Sequence, residues 1–515
     1  MSSEIPQYSE SKILKRLLTG SALSIVRMVI TIVVGLFMTP FLLEHIGTRQ
    51  MGIWILVGSF TGFYGLLDFG ITSAMSRYMT LYFSQKDVPA CNSFASIGFL
   101  IFTCMGIVAA LIAFLIAGIS LFVYRDTVDD INIIAWVTVI LGINFMFNFP
   151  LRVFSGIITG CLRQDLDNLR SLFFYIIGAV LTITIVYSGG KIIAMALSNL
   201  VLGIINVFYF YRISKYVFPQ LCLSRESVRK KDIKPLFKYG FFTSLASITD
   251  TLRFRISSII IAGFLSVEII THYGIATTLV SNFQQLMGNC TMWLTNWFTR
   301  LDAKNDKAAI RNHMMFAYKM TITLATFIAF GLIFWSIPFI DRWVGWEFLD
   351  VYDSLVLLTL GMMFAMWQSP ATRVLYATAN HHYYSAVNAI DAVLNIAVTL
   401  LLVPRYGMVG VAIGNCTAMF ISKIFILPQV IIRILNITNM EYWGNLSKTL
   451  AKCMICLIVP FMVSKRLVVS EYKWLFLNGI ICAMIYFSCT LFLVLSKEER
   501  QNLCSRILKK ESIQT

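Results

Sequence analysis

The chain has 515 residues, of which 58% are hydrophobic and only 13% are charged, and its mean hydropathy is +0.76. A soluble domain carries about twice that share of charged residues, so the composition excludes a soluble protein. The formal net charge is +16, but the cations lie in short polar stretches between apolar blocks. Cations in that position orient a membrane protein and contact anionic lipids, so we expect membrane lipids as partners and no nucleic acid.

The apolar blocks are about 20 residues long, which is the length an α-helix needs to cross a bilayer core. They are continuously apolar and lack the alternation of barrel strands. We therefore predict an all-α polytopic membrane protein with about 14 transmembrane helices. In chain order the predicted spans are 20–43, 52–75, 93–123, 131–150, 171–188, 191–211, 237–263, 271–298, 313–337, 353–371, 383–403, 408–432, 444–464 and 474–496.

Lysine and arginine placement predicts the orientation of these spans. With the N-terminus in the cytoplasm, basic clusters such as the one within 212–238 face the cytoplasm, whereas the outside segment 341–353 is rich in acids. Because the number of spans is even, the C-terminus is also expected in the cytoplasm.

An internal repeat divides the chain. RVFSGIITG from Arg152 aligns with RVLYATANH from Arg373, a shift of 221 residues, and a second pair of segments ending at Ile53 and Ile275 gives a shift of 222. We predict two co-oriented six-helix bundles related by a pseudo-two-fold axis along the membrane normal. The predicted domains are an N-terminal bundle (1–211), a basic cytoplasmic linker loop (212–236), a C-terminal bundle (237–435), and two extra transmembrane helices with a cytoplasmic tail (436–515).

Charged side chains within the spans suggest a cationic site. An ionisable group at the bilayer centre costs at least about 2.5 kcal/mol, so each one needs a reason. Arg27 lies about two turns into the first span, and Arg253 and Arg255 lie in the seventh. We predict that they line a hydrated lumen and bind an anionic head group, because arginine binds phosphate oxygens in a bidentate manner. The alternatives are snorkelling and structural ion pairs, for example between Arg253 and Asp250.

Other polar groups are predicted to support that lumen. Ser281, Gln285 and Asn289 recur every four residues and form either a polar lumen wall or interhelical hydrogen bonds. Gly58, Gly62 and Gly65, in the second span, are expected at close helix contacts. Four further charges are candidates for ion coupling or charge balance, namely Asp68, Asp250, Asp391 and Lys423.

Catalytic and metal-binding motifs are missing from the sequence. It contains no P-loop, H-E-x-x-H or G-x-S-x-G pattern, and its five histidines lack metal-ligand spacing. We expect no catalytic residue, no metal and no cofactor, and hence not an enzyme. The C-x-x-C formed by Cys453 and Cys456 lies within a predicted span and is interpreted as helix packing.

Two stretches resemble the polysaccharide flippases, the O-antigen and capsule repeat-unit transporters of the multidrug/oligosaccharidyl-lipid/polysaccharide exporter superfamily. The first, from Thr39 to Tyr78, reads TPFLLEHIGTRQMGIWILVGSFTGFYGLLDFGITSAMSRY. The second is the pair of repeated segments that begin at Arg152 and Arg373. The resemblance extends over nearly the whole chain in length, span count and repeat.

This resemblance implies a bacterial cell inner-membrane flippase with both termini in the cytoplasm. It would move an undecaprenyl-pyrophosphate-linked oligosaccharide from the cytoplasmic to the periplasmic leaflet by alternating access, for surface polysaccharide biosynthesis. Related flippases carry arginines on spans 1 and 7, which implies cargo binding by Arg27, Arg253 and Arg255. A proton or sodium as coupling ion, and other polysaccharide-assembly proteins as partners, are part of the same expectation.

Three other functions stay open from the sequence. A multidrug/cation antiporter of the same superfamily would need acidic groups in its lumen and usually has twelve spans. A lipid II flippase would be cationic with fourteen spans. A polymerase or ligase of lipid-linked sugars would need a large outside loop with catalytic groups, and no outside loop here exceeds about 20 residues.

Overall fold

The structure, a computed structural model, describes residues 10–63, 67–123, 131–304, 306–466 and 472–501. Within these ranges the side chains of 10–18, 21, 61–63, 123, 238–254, 465 and 466 lie outside the described residues. The described part consists of α-helices joined by short turns, with no strand. In chain order the helices are α1 (Glu10–Phe63), α2 (Ile71–Ser84), α3 (Val88–Val123), α4 (Ile131–Asn148), α5 (Leu151–Gly160), α6 (Gln164–Tyr187), α7 (Ile192–Val217), α8 (Lys230–Phe264), α9 (Val267–Thr291), α10 (Trp293–Asp302), α11 (Lys307–Trp343), α12 (Tyr352–Trp367), α13 (Ser369–Ala377), α14 (His381–Phe420), α15 (Leu427–Leu435), α16 (Asn439–Arg466) and α17 (Tyr472–Leu493).

Ten helical segments of the described part are long and apolar enough to cross a membrane. A helix bonds its backbone amides and carbonyls internally, which hydrocarbon requires because it offers no other partner. The prediction of an all-α polytopic membrane protein is confirmed.

Two of these segments each contain a pair of predicted spans joined at a glycine. α1 turns at Gly47 (φ 79°, ψ 164°), and α14 turns at Gly407 (φ 55°, ψ −133°), a left-handed region that glycine enters without strain. The apolar part of α1 has 39 residues, which as a straight helix would be about 58 Å long, about twice the hydrocarbon thickness. The loops expected at 44–51 and 404–407 are therefore wrong, because a single glycine makes each turn.

Other predicted spans are broken or extended. The span expected at 52–75 ends with α1 at Phe63 and resumes with α2 at Ile71, and the span at 271–298 is divided into α9 and α10. Helices α6 and α8 begin seven residues before the predicted spans at 171 and 237. Hydropathy marks only the part of a helix that lies in hydrocarbon, so it misses polar helical ends.

The chain forms two compact units, Met1–Thr271 and His272–Thr515. In the first unit, α2, α3, α5 and α7 enclose a core that includes Met75, Phe94, Phe154 and Phe210. Helix α8 packs against α1 and α2 within the same unit. The predicted domain boundaries at 211, 236 and 435 stay a prediction.

The second unit is built around α11, α12 and α14. Helix α11 packs against α12, and α12 packs along α14. The two C-terminal helices α16 and α17 pack against each other and against α11.

Glycine allows close helix contacts in the first unit. A Cβ on Gly106 would lie 2.7 Å from the carbonyl oxygen of Met146, and one on Gly160 would lie 2.5 Å from the Cβ of Met79. Among the described residues, no heavy atom lies within 4 Å of a Cβ built on Gly58. Gly65 and the surroundings of Gly62 lie outside the described residues, so the packing role of these three glycines stays a prediction.

The two units share a local pattern of helix, short helix, left-handed residue and long helix. Leu162 follows α5 and Ala379 follows α13, each with a φ of 57°, and they are 217 residues apart. Gly189 and Gly407 are 218 residues apart. The shift of 221 from sequence alignment is therefore wrong by about one helical turn in this region, since apolar helices align almost equally well four residues away.

The connection between α7 and α8 is held by the first turns of α3. The Asn92 side chain donates to the carbonyl oxygen of Gln220 (2.9 Å) and accepts from the amide of Cys222 (3.0 Å). The Ser93 hydroxyl accepts from the amide of Arg229 (3.0 Å) and donates to the Asp232 carboxylate (2.7 Å). The segment predicted as a linker loop is thus anchored to the first unit along its length.

A buried polar triad joins α16 to the rest of the second unit. The hydroxyls of Tyr318 and Tyr442 lie 2.7 Å apart, and each donates to the Oε1 atom of Gln368 at 2.8 Å. Tyr318 and Tyr442 are at most 1% exposed, and Gln368 is fully buried. These bonds connect α11, the α12–α13 junction and α16.

We expect Tyr442→Phe to destabilise the protein by about 1 kcal/mol, because one buried hydrogen-bonded hydroxyl is lost while the ring packing is kept. The thermal melting temperature of the purified protein, which has 515 residues, should fall by about 1 °C. Tyr406→Phe is the matched control, because Tyr406 is 57% exposed. Equal melting temperatures for Tyr442→Phe and the parent protein would show that the triad does not stabilise the packing of α16 against the second unit.

Candidate functional site

Arg27 lies on the first half of α1 in the first unit. Its side chain is half-buried, and its neighbours Ile25, Val26 and Val29 are 45–54% exposed. It makes no hydrogen bond or ion pair with another described residue. A permanently charged guanidinium on an apolar stretch of helix is costly unless water or an anion contacts it.

Arg255 lies on α8 and reaches α1. Its Nη1 atom donates a long hydrogen bond of 3.5 Å to the carbonyl oxygen of Gly58, and its side chain is exposed. A 3.5 Å bond is weak, and no other hydrogen bond joins this guanidinium to a described residue.

The other two charges predicted for this helix, Asp250 and Arg253, have side chains outside the described residues. The backbone of both lies within α8. Their roles in cargo binding and charge balance stay predictions.

Asp68 forms an ion pair with Arg152 in the first unit. Nη1 of Arg152 lies 3.0 Å from Oδ2 of Asp68, and the guanidinium also lies 4.9 Å from the centroid of the Phe149 ring. Oδ1 of Asp68 accepts from both the amide (3.1 Å) and the hydroxyl (2.9 Å) of Thr72. Of the two roles predicted for Asp68, this geometry favours charge balance.

Asp391 and Lys423 are both buried in the second unit, with exposures of 0% and 2%. Lys423 is on a π-helical turn, Ile421–Ile426, that follows α14, and its ammonium donates to Oδ1 of Asn388. Ser422 donates to Oδ1 of Asp391 at 3.2 Å. The two charges are therefore linked indirectly. Ser422, next to Lys423, bonds to Asp391, and Asn388, one turn before Asp391, bonds to Lys423.

Sequence analysis missed the polar row on which this pair lies. Asn388, Asp391, Asn395 and Thr399 recur every three or four residues on α14, and each is at most 1% exposed. The spacing of polar residues in an otherwise apolar helix could have revealed the row. Its members bond partly among themselves, for example Thr399 to Asn395 at 3.1 Å.

The predicted polar wall lies on one face of α9. Ser281 and Gln285 are exposed and Asn289 is half-buried, whereas Phe283 and Met287, on the other side of the helix, are at most 1% exposed. The Asn289 amide donates to the backbone carbonyl of Gln285 at 2.9 Å. The shared face is confirmed, and the lumen role stays a prediction.

A further charge cluster in the first unit was not predicted. The Arg170 guanidinium donates to Asp167 (2.8 Å) and Asn206 (2.7 Å) and stacks 3.8 Å from the centroid of Phe210. This arginine is well compensated, in contrast to Arg27 and Arg255. Across the described ranges, no group of three or more histidine, cysteine or acidic side chains is arranged to hold a metal ion.

Membrane-length helices with broken spans and an internal repeat of local structure define a polytopic α-helical membrane protein. A family model described as "Polysaccharide biosynthesis protein" matches residues 52–353, which is more than half of the chain. The chain belongs to this family.

Two relatives are similar over nearly their full length. An uncharacterized membrane protein of Methanocaldococcus jannaschii is 20% identical, over 87% of this chain and 92% of the relative. The uncharacterized membrane protein EpsK of Bacillus subtilis is also 20% identical, over 93% of this chain and 96% of the relative.

Two solved structures show the fold. The lipid II flippase MurJ in an inward closed conformation has a TM-score of 0.70 at 18% identity, covering 94% of this chain and 98% of its own. An inward-facing multidrug resistance transporter of the MATE family, in the MOP superfamily, has a TM-score of 0.66 at 12% identity, covering 80% of this chain and 96% of its own. The chain therefore has the fold of MOP superfamily transporters.

We expect Asp68→Asn and Arg152→Gln to be non-additive. Each single change leaves one partly buried charge without its partner, whereas the double variant leaves none, so the coupling energy should be about 1 kcal/mol. The measurement is a double-mutant cycle on thermal unfolding of the purified protein.

The control cycle combines Asp68→Asn with Arg212→Gln, an exposed arginine at the polar end of α7. That cycle should be additive. If the Asp68 and Arg152 changes were additive as well, the ion pair would carry no stability.

Proposed function

We propose that this protein is a flippase that moves an undecaprenyl-pyrophosphate-linked oligosaccharide repeat unit from the cytoplasmic to the periplasmic leaflet by alternating access. Its product would be a precursor for surface polysaccharide such as O-antigen or capsule. The observation that carries the proposal is the pair of under-compensated arginines, Arg27 and Arg255, on two helices of the first unit.

The arginines support an anionic cargo on energetic grounds. Each guanidinium in a membrane span costs at least about 2.5 kcal/mol at the bilayer centre, and other charges such as Arg152 and Arg170 offset that cost with carboxylates. Arg27 has no described partner, and Arg255 has a weak one. A pyrophosphate group would supply the missing negative charge, with oxygens spaced for bidentate donation.

Family membership supports a glycan as the other part of the cargo, since the family is described by polysaccharide biosynthesis. Flipping a lipid-linked glycan breaks no covalent bond. The protein would need only to bind the head group, shield it from hydrocarbon and release it, so no catalytic residue, metal or cofactor is required. We therefore propose a transporter rather than an enzyme.

The proposed setting is a bacterial cell inner membrane with both termini in the cytoplasm, where basic segments predominate. The polar face of α9, Ser281, Gln285 and Asn289, is proposed to line the hydrophilic path of the cargo. Partners would be membrane lipids and other polysaccharide-assembly proteins.

Lipid II flipping is the second candidate, because the lipid II flippase structure matches 94% of this chain. A multidrug/cation antiporter is less well supported. Such a protein needs accessible acidic groups for its cargo, whereas Asp68 here is engaged by Arg152 and Asp391 is wholly buried.

We expect Arg27→Ala and Arg255→Ala each to reduce surface-glycan assembly at least about tenfold, because each removes charge-assisted hydrogen bonds to phosphate worth about 1.5–3 kcal/mol. Arg253→Ala is tested beside them. The measurement is surface glycan in cells whose only copy of the gene is the variant, with membrane insertion checked by immunoblot.

Arg405→Ala is the matched control, because Arg405 is an exposed arginine of the second unit that makes no bond with another described residue. It should leave glycan assembly unchanged. Normal glycan assembly with inserted Arg27→Ala and Arg255→Ala proteins would disprove the cationic-site proposal. Rescue of cells depleted of their lipid II flippase would favour lipid II flipping. Changed drug accumulation without a glycan defect would favour the multidrug/cation antiporter.

A further inference from the structure

The second unit contains a pair of opposite charges sealed away from its surface. Asp391 is 0% exposed and Lys423 is 2% exposed, and both belong to the helical stretch His381–Leu435 that is apolar enough to span a membrane. A buried carboxylate in such a position needs a positive charge nearby, because its desolvation costs several kcal/mol.

The surroundings of the Lys423 ammonium resemble the ligand shell of a small cation. It donates to the side-chain oxygen of Asn388 and lies 5.0 Å from the centroid of the Tyr384 ring. Asn388 precedes Asp391 by three residues on α14, so both side chains lie on one face of the helix. An amide oxygen and an aromatic face are groups that proteins use to hold cations and ammonium groups, and the Asp391 carboxylate lies one turn further along the same face of α14.

The π-helical turn explains how Lys423 enters this shell. Consecutive residues on a regular α-helix point about 100° apart, so both face the same neighbour only from the two edges of the contact. Here Ser422 bonds to Asp391 and Lys423 bonds to Asn388, so two consecutive residues both meet α14. The wider turn at Ile421–Ile426 permits this, and such turns are frequent at functional sites.

We infer that Lys423 is a built-in cation, whose ammonium fills a site that Asn388 and Asp391 would otherwise offer to a small monovalent cation. The site is therefore closed to exchange with ions in solution. For the proposed flippase, this assigns Asp391 and Lys423 to charge balance and locates any coupling ion elsewhere. Only that consequence rests on the proposed function, since the occupied cation site follows from the geometry of the second unit.

Removing the ammonium should open the site to ions. Lys423→Ala keeps the Cβ atom and removes the rest of the side chain, a group that n-propylammonium reproduces. Purified Lys423→Ala protein should melt at least about 3 °C higher in sodium or n-propylammonium chloride than in choline chloride of equal ionic strength. The parent protein should show no such difference.

Lys423→Met is the matched control, because it removes the charge while filling the space, so no cation can enter. It should respond to neither ion. A Lys423→Ala protein that responds to neither ion, a parent protein that responds as strongly as Lys423→Ala, or an equal response of Lys423→Met would each overturn the inference.

A second experiment covers the case in which Lys423→Ala does not fold. Lys423→Met and Asp391→Asn each leave one buried charge uncompensated, whereas the double variant is neutral. The double variant should express better and melt at a higher temperature than either single variant. A double variant no more stable than the weaker single variant would show that the two charges do not compensate each other.

Neither measurement requires glycan or transport. If the proposed flippase function were disproved, the result of the cation experiment would still hold. If the cation experiment failed, the arginine experiment would still test the flippase function.

Discussion

Hydrocarbon provides no hydrogen-bond partner, and every polar group of this protein that lies at membrane depth has to find one within the chain. The backbone meets the constraint by forming helices, and hydroxyls meet it by bonding to the carbonyl one turn earlier, as Thr138 does to Ile134 and Thr321 to Ala317. Charges meet it in pairs or networks, as in Asp68 with Arg152. Arg27 differs from these charges, because it is half-buried and has no partner among the described residues. The functional argument depends on that contrast.

The two units differ in how deeply they bury their charged pairs. In the first unit, Asp68 and Arg152 keep 21% and 31% of their side-chain surfaces exposed, so water can still share in their solvation. In the second unit, Asp391 and Lys423 have almost no exposure, and they bond to Ser422 and Asn388 respectively. A partly wet pair tolerates movement of its surroundings, whereas a dry one holds its helices in a single arrangement. The second unit therefore has the more rigid polar interior.

Fold class and most helix positions could be predicted because hydrophobic length is set by the bilayer and not by tertiary detail. Gly47 and Gly407 could not be predicted as sharp turns, since nothing in hydropathy distinguishes a glycine that turns the chain from one that packs. The repeat was found but misaligned by a helical turn. At the site, charge alone identified Asp391 and Lys423, but their association depends on a π-helical turn that a period of 3.6 residues conceals.

The attachment of the chain between α7 and α8 to the start of α3 has a practical consequence for protein engineering. The backbone at positions 220, 222 and 229 is hydrogen-bonded to α3 side chains. This hydrophilic segment is therefore attached to α3 and is not a free linker. Polar loops between repeated halves are the usual places to insert a fluorescent protein, an epitope or a protease site. An insertion here would separate the backbone from Asn92 and Ser93 and expose the core beneath α3. A fusion intended to leave the protein unaffected would therefore destabilise it.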